Sequence, residues 1–200
     1  RDASALARIS RMTGLNVIMG SGYYTANSLN PAVFSKSVDE IAEEIVSDIT
    51  EGVGTTGIKA GLIGEVGTSW PIHDFEKKSL LAAVKAQQAT GAPINVHPGR
   101  HALGPITAAR ILVDAGADMT RVAFSHIDGR VRTQEGRLEL ARLGCYLEYD
   151  LFGYEGHFPV FAGSDPIDLP NDTTRIYEIR DLMEAGYLNQ VLISHDIVCK

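Results

Sequence analysis

Gly61-Leu62-Ile63-Gly64-Glu65, Ile94-Asn95-Val96-His97, Val122-Ala123-Phe124-Ser125-His126 and Val191-Leu192-Ile193-Ser194-His195-Asp196 are short apolar runs, and each closes on a residue type that binds metals. Stretches of helical periodicity separate them. When strands alternate with helices and each strand delivers one Glu, His or Asp at its carboxyl end, the economical arrangement is one shared metal site at the top of a parallel barrel.

Working outward from these runs, the same alternation covers the chain. Residues 5–13 carry Leu6, Ile9 and Met12 at helical spacing, and Gly14 stands where a helix-ending glycine is expected. Residues 15–19 read as the first strand, followed by a turn-rich loop through Pro31. Ser37 has the position of an N-cap with Glu40 three residues on, and Val38, Ile41, Ile45 and Ile49 supply the apolar face of a helix ending near Gly52. Residues 58–63 form the next expected strand. Helices are then predicted over 73–90, 104–115, 132–143 and 175–185, and strands over 94–97, 122–126, 145–150 and 191–196. These strands are too uniformly apolar for a sheet with one wet face, which makes the protein α/β with a parallel sheet. Polar ends on five different strands (Glu65, His97, His126, Asp150 and Asp196) can meet only around a ring. That favours a TIM barrel of (β/α)8 type over an open sheet with one switch point.

Composition bounds the function. With 200 residues, 44% of them hydrophobic, the chain has the make-up of a single globular domain. Its 25 acidic and 18 basic residues leave a net charge of −7, so no nucleic-acid surface is expected. Cys145 and Cys199 form neither a disulfide framework nor a thiolate zinc motif, and no apolar stretch has the length of a membrane span. A cytoplasmic protein acting on a small molecule, without nucleic-acid or membrane partners, is the expectation.

Five stretches carry a family likeness: Ile63-Gly64-Glu65-Val66-Gly67-Thr68-Ser69, Val96-His97-Pro98-Gly99-Arg100, Ser125-His126-Ile127-Asp128, the run from Cys145 to Gly153, and Ser194-His195-Asp196-Ile197. In this order they resemble the phosphotriesterase family of the amidohydrolase superfamily, and within it the phosphotriesterase-related branch. The resemblance implies a binuclear centre, usually two zinc ions, whose bridging hydroxide attacks an ester, lactone, amide or phosphoester. It makes Glu65 the carboxylate that bridges both metals, His97 and His126 the ligands of one, and Asp196 the ligand of the other and the proton acceptor. Small N-acyl amino acid or N-acyl taurine amides are the substrates this branch suggests, and a homodimer is compatible with it. Where lactonase members carry an arginine this chain has Leu151-Phe152, which counts against lactones.

Other residues invite roles. Tyr24 matches an aromatic wall of the family's pocket, with packing as the bland reading. Arg100 has either a substrate carboxylate or sulfonate, or a surface salt bridge, as its partner. Asp150 is expected in the substrate pocket or as a loop cap, Asp128 as the residue that orients a ligand histidine, and His195 in packing or behind the ligands. His73, His101 and His157 read as solvated. No His-x-His pair precedes these motifs, and six of eight strands are found, so the chain is expected to be a segment of a longer barrel, inactive in isolation. The competing expectation is a catalytically silent binding protein that kept the fold.

Overall fold

The computed structural model describes residues 2–158 and 167–197; Cys199 lies outside them. Six strands form the main sheet: β1 (Gly20–Ser21), β2 (Leu62–Gly67), β3 (Ile94–His97), β4 (Val122–Phe124), β5 (Tyr146–Tyr149) and β8 (Val191–Ile193). They are ordered as in the sequence, and every neighbouring pair is parallel. Helices α1 (Ala3–Thr13), α2 (Val38–Thr50), α3 (Asp74–Thr90), α4 (Gly104–Asp114), α5 (Ile127–Arg130), α6 (Gln134–Arg142) and α7 (Asp172–Glu184) fall between and around the strands. A separate antiparallel pair, β6 (Gly156–Phe158) and β7 (Ile167–Leu169), follows β5. None of the described helices is long and apolar enough to cross a membrane.

Local chemistry explains most helix ends. Ser37 accepts from the Glu40 amide at 3.2 Å while the Glu40 carboxylate accepts from the Ser37 amide at 2.7 Å, the reciprocal cap the sequence suggests. His73 caps α3 in the same manner, its ring Nδ1 accepting from the Phe75 amide at 3.1 Å. Gly91 ends α3 at φ 71°, a left-handed conformation that relieves the last carbonyls.

Side chains alternate along each strand, and the outward set makes the core. Ile63, Val66, Ile94, Val96, Val122 and Phe124 are fully buried against the helices, together with Ile41 and Ile45 of α2 and Leu80 of α3. The closely spaced Ala82, Ala83 and Ala86 of α3, also fully buried, let that helix approach the sheet. The inward set is polar: the Ser125 hydroxyl lies 2.7 Å from Asn95 Oδ1 and 2.9 Å from Glu148 Oε2.

The curl of the sheet follows from two distances. Four inter-strand steps separate β2 from β8, which in a flat sheet is about 19 Å at about 4.8 Å per step. Yet Glu65 in the carboxyl-terminal half of β2 and Asp196 past the end of β8 flank one imidazole, 3.4 Å from His126 Nε2 and 3.9 Å from His126 Nδ1 respectively. Only a sheet bent into a barrel arc brings them together.

Two expectations change. Residues 15–19 are not a strand; Leu15 and Ile18 are exposed, and only Gly20–Ser21 joins the ladder. Residues 58–61 precede β2, which starts at Leu62 and gains a register shift between Ile63 and Val66.

Helix α7 is tied to the rim by a fully buried ion pair, Arg175 Nε to Asp128 Oδ2 at 2.7 Å, while Asp128 Oδ1 has no hydrogen-bond partner among the described residues. Removing one member of such a pair strands the other charge in the interior. Arg175→Met is therefore expected to destabilise the protein by about 3–5 kcal/mol, measured by urea denaturation.

Candidate metal centre

Each ligand candidate is delivered by a different strand end. Glu65 lies in the irregular part of β2, after Gly64, whose φ of 137° and crowding explain its identity: a Cβ there would sit 2.5 Å from the Asn95 carbonyl oxygen. His97 ends β3. His126 follows β4 and caps α5 in the left-handed region, at φ 58°. Asp196 has φ 43°, and these two are the only described non-glycine residues with positive φ. Such backbone costs about 1–3 kcal/mol per residue and collects where the surrounding structure holds a functional geometry in place.

Glu65, His97 and His126 offer ligand atoms that all lie within 4.8 Å of one another. Glu65 Oε1 is 3.5 Å from His97 Nδ1 and 3.4 Å from His126 Nε2, and the two nitrogens are 2.8 Å apart. Ligands at about 2.0–2.1 Å from a tetrahedral ion are separated by about 3.3–3.4 Å, so the triangle matches one face of zinc coordination, with the nitrogens slightly drawn in. That short edge is the spacing of a hydrogen bond between two rings sharing one proton.

Charge explains the proton. Burial opposes ionisation of Glu65, but hydrogen bonds from His126 and His97 overcome it and hold the carboxyl down at about 2. Burial likewise opposes a charged His126, yet Asp150 and Glu65 raise it to about 9. His97 is lowered, chiefly by burial, with the charge of His126 adding to it. Without metal the centre thus pairs one carboxylate with one imidazolium.

Asp150 is where sequence and geometry part. Expected to line the pocket, it is 4% exposed, and its Oδ1 accepts from the His126 amide at 3.1 Å and lies 2.9 Å from His126 Nδ1. Asp128, expected to orient a histidine, instead accepts from Arg175 and from the Leu151 amide at 3.2 Å, holding the loop just beyond Asp150. Asp196 stands at the edge of the cluster, its side chain 42% exposed and its carboxyl raised, mainly by burial. His195 is exposed.

A cavity of about 380 Å³ opens beside His97, lined in part by Tyr24, Thr68, Trp70 and Arg100. The Tyr24 hydroxyl is 3.1 Å from either His97 ring nitrogen, so the phenol sits across the imidazole face. Burial, then Glu65, pushes it up to about 12. Two features escaped the sequence. His101 stacks on Trp70 with centroids 4.2 Å apart and planes 4° from parallel. Glu76, 0% exposed, accepts from the amides of Ala26, Ser69 and His73 at 2.8–2.9 Å and pins both loops of the cavity wall. Glu76 reads from sequence as an ordinary first-turn glutamate, and its capping spacing from His73 was the one available signal.

Residues 1–200 match the phosphotriesterase family. The chain belongs to that family. Among relatives of this phosphotriesterase-family chain, the phosphotriesterase-related protein of Nematostella vectensis is 43% identical over 98% of this chain and 56% of its own length. The N-acetyltaurine hydrolase of Homo sapiens is 40% identical over 100% of this chain and 57% of its own. The chain thus spans just over half the length of the curated relatives it matches. Of solved structures, a resiniferatoxin-binding protein from Rhodobacter sphaeroides superposes with a TM-score of 0.91 at 36% identity, covering 98% of this chain and 54% of that one. The phosphotriesterase homology protein of Escherichia coli, solved with phosphate in its active site, gives 0.86 at 31% identity, covering 98% and 63%.

Two outcomes test the centre. Asp150→Asn removes the charge that orients His126 and is expected to weaken zinc binding about 10–100-fold, measured by competition with a chelating dye. Because His126 binds metal only when neutral and titrates at about 9, zinc affinity should rise with pH up to that value and then level. Calorimetry at neutral pH in buffers of different ionisation enthalpy should register the released proton.

Proposed function

We propose that this protein is a metal-dependent hydrolase of small N-acyl amides that carry an acidic group, of which an N-acyl taurine is one. The observation that carries the reading is the Glu65–His97–His126 triangle, which lies beside a cavity of mixed polar and apolar lining. The name of the human relative supports the substrate class.

Glu65, His97 and His126 would hold one divalent ion, most simply zinc, and Glu65 with Asp196 would contribute to a second. When bound, two such ions lower the pKa of water from about 15.7 toward 7 and polarise the scissile carbonyl. The remaining work belongs to the protein. Asp150 accepts the His126 Nδ1 proton and leaves Nε2 directed at the Glu65 corner, which selects the tautomer a ligand needs. Asp196, partly exposed and with its carboxyl raised by burial, is suited to take a proton from the attacking water and pass it to the leaving amine. Tyr24, Trp70 and Arg100 wall the cavity, and Arg100 would face the acidic end of the substrate. The compartment we infer is the cytoplasm, with a homodimer as the natural assembly.

A second reading, a binding protein without turnover, is favoured by the resiniferatoxin-binding relative. Metal analysis and N-acetyltaurine hydrolysis by the intact protein separate the two. Two zinc equivalents and a loss of turnover of about 100-fold or more in Glu65→Gln are expected for the enzyme. Metal-free protein whose ligand binding ignores that substitution would establish the binder.

A further inference from the structure

Arg130 is a cation in the wrong place for a surface residue. It ends α5, one turn after His126, and is 7% exposed. Its Nε donates to the Pro98 carbonyl at 3.2 Å, and no carboxylate lies within ion-pair distance among the described residues. The guanidinium of Arg175, deeper still at 0% exposed, has both Asp128 and Asp172. The carboxylates of Asp150 and Asp128 act on Arg130 only from beyond contact, and a buried charge without a close counter-ion is disfavoured until one arrives. Pro98 lies between His97 and Gly99, both of which line the cavity, so Arg130 backs directly onto its wall. Arg100 and Tyr24 on that wall, and Asp196 beside it, all feel its charge. Burial and the like charge of Arg100 together bring the guanidinium down to about 10. Arg100 lines the cavity and Arg130 stands behind its wall, two repelling cations beside the candidate centre that a compact anion between them would relieve.

We infer that Arg130 is the deeper of two cations, with Arg100 the outer one, that bind the sulfonate or carboxylate head of the substrate. This rests on the hydrolase reading above and adds to it the residue that selects for an anion. Fork-shaped donors suit an oxyanion with two or three oxygens, and the position behind His97 sets the distance from head group to scissile bond.

The test uses the zinc-loaded protein and calorimetric titration with methanesulfonate, acetate and neutral dimethyl sulfone at constant ionic strength. Saturable binding of at least one anion, none of the sulfone, and affinity about tenfold weaker in both Arg130→Met and Arg100→Met, at unchanged zinc content, support the inference; which anion binds tells sulfonate from carboxylate. Unchanged affinity in Arg130→Met, or no anion binding by the parent, overturns it. Melting temperature gives a readout that a structural role would reverse: without anion, Arg130→Met should melt no lower than the parent, and a clear drop assigns Arg130 to the scaffold. If Arg130→Met does not fold, Arg130→Lys decides, since an ammonium lacks the fork; weakened methanesulfonate binding supports the inference and unaltered binding sinks it. Hydrolysis of N-acetyltaurine is scored separately. Anion binding without turnover refutes the hydrolase alone, and turnover without anion binding refutes the Arg130 subsite alone.

Discussion

Parallel hydrogen bonding of β2, β3, β4, β5 and β8 in sequence order forces the carboxyl ends of all five strands onto one rim. Everything at the candidate centre depends on that. Because the sheet curls, side chains from strands four places apart in the ladder reach the same imidazole, His126, from opposite sides. The apolar outward faces, led by Ile94, Val96, Val122 and Phe124, stabilise the arc by burial under the helices. That stability sustains left-handed backbone at His126 and Asp196 and the crowded glycine before Glu65. A site built on loops alone would relax out of such conformations.

Buried carboxylates then act as clamps at three places. Asp150 fixes the ring of His126 through both its side chain and its amide. Asp128 holds the loop after β5 and anchors α7 through Arg175. Glu76 ties the loop after β1 to the loop after β2 and so shapes the cavity. Each is paired with amides or an arginine, as the desolvation of a charge requires. Arg130 is the exception, a buried cation with no carboxylate within ion-pair distance among the described residues.

The parts of the fold legible in the sequence were those set by local rules. The Ser37–Glu40 cap, the αL glycine at 91 and the apolar runs at 94–97 and 122–124 follow from short-range sterics and hydrogen bonding, and they sit where those rules place them. Residues 15–19 satisfy the same apolar rule yet stay outside the ladder, because a strand needs a partner in register and periodicity does not supply one. Helix α5 is a single short turn packed with β5 and β7, too brief to leave a periodic signal. The pair β6–β7 likewise joins residues up to thirteen positions apart, which no short window of sequence reports.

For the centre, the sequence by itself determined which chemical groups stand at the strand ends, since a carboxyl-terminal Glu, His or Asp after an apolar run is a local pattern. The tertiary structure decided which of these groups meet, and which serve the others. Glu65, His97 and His126 converge on one point, Asp150 turns to hold His126, Asp128 turns away to Arg175, and Arg130 is driven inward behind Pro98. The reason is physical: a residue's type is written once in the chain, but its distance, burial and electrostatic partners are properties of the curled sheet, in which contacts span dozens of residues.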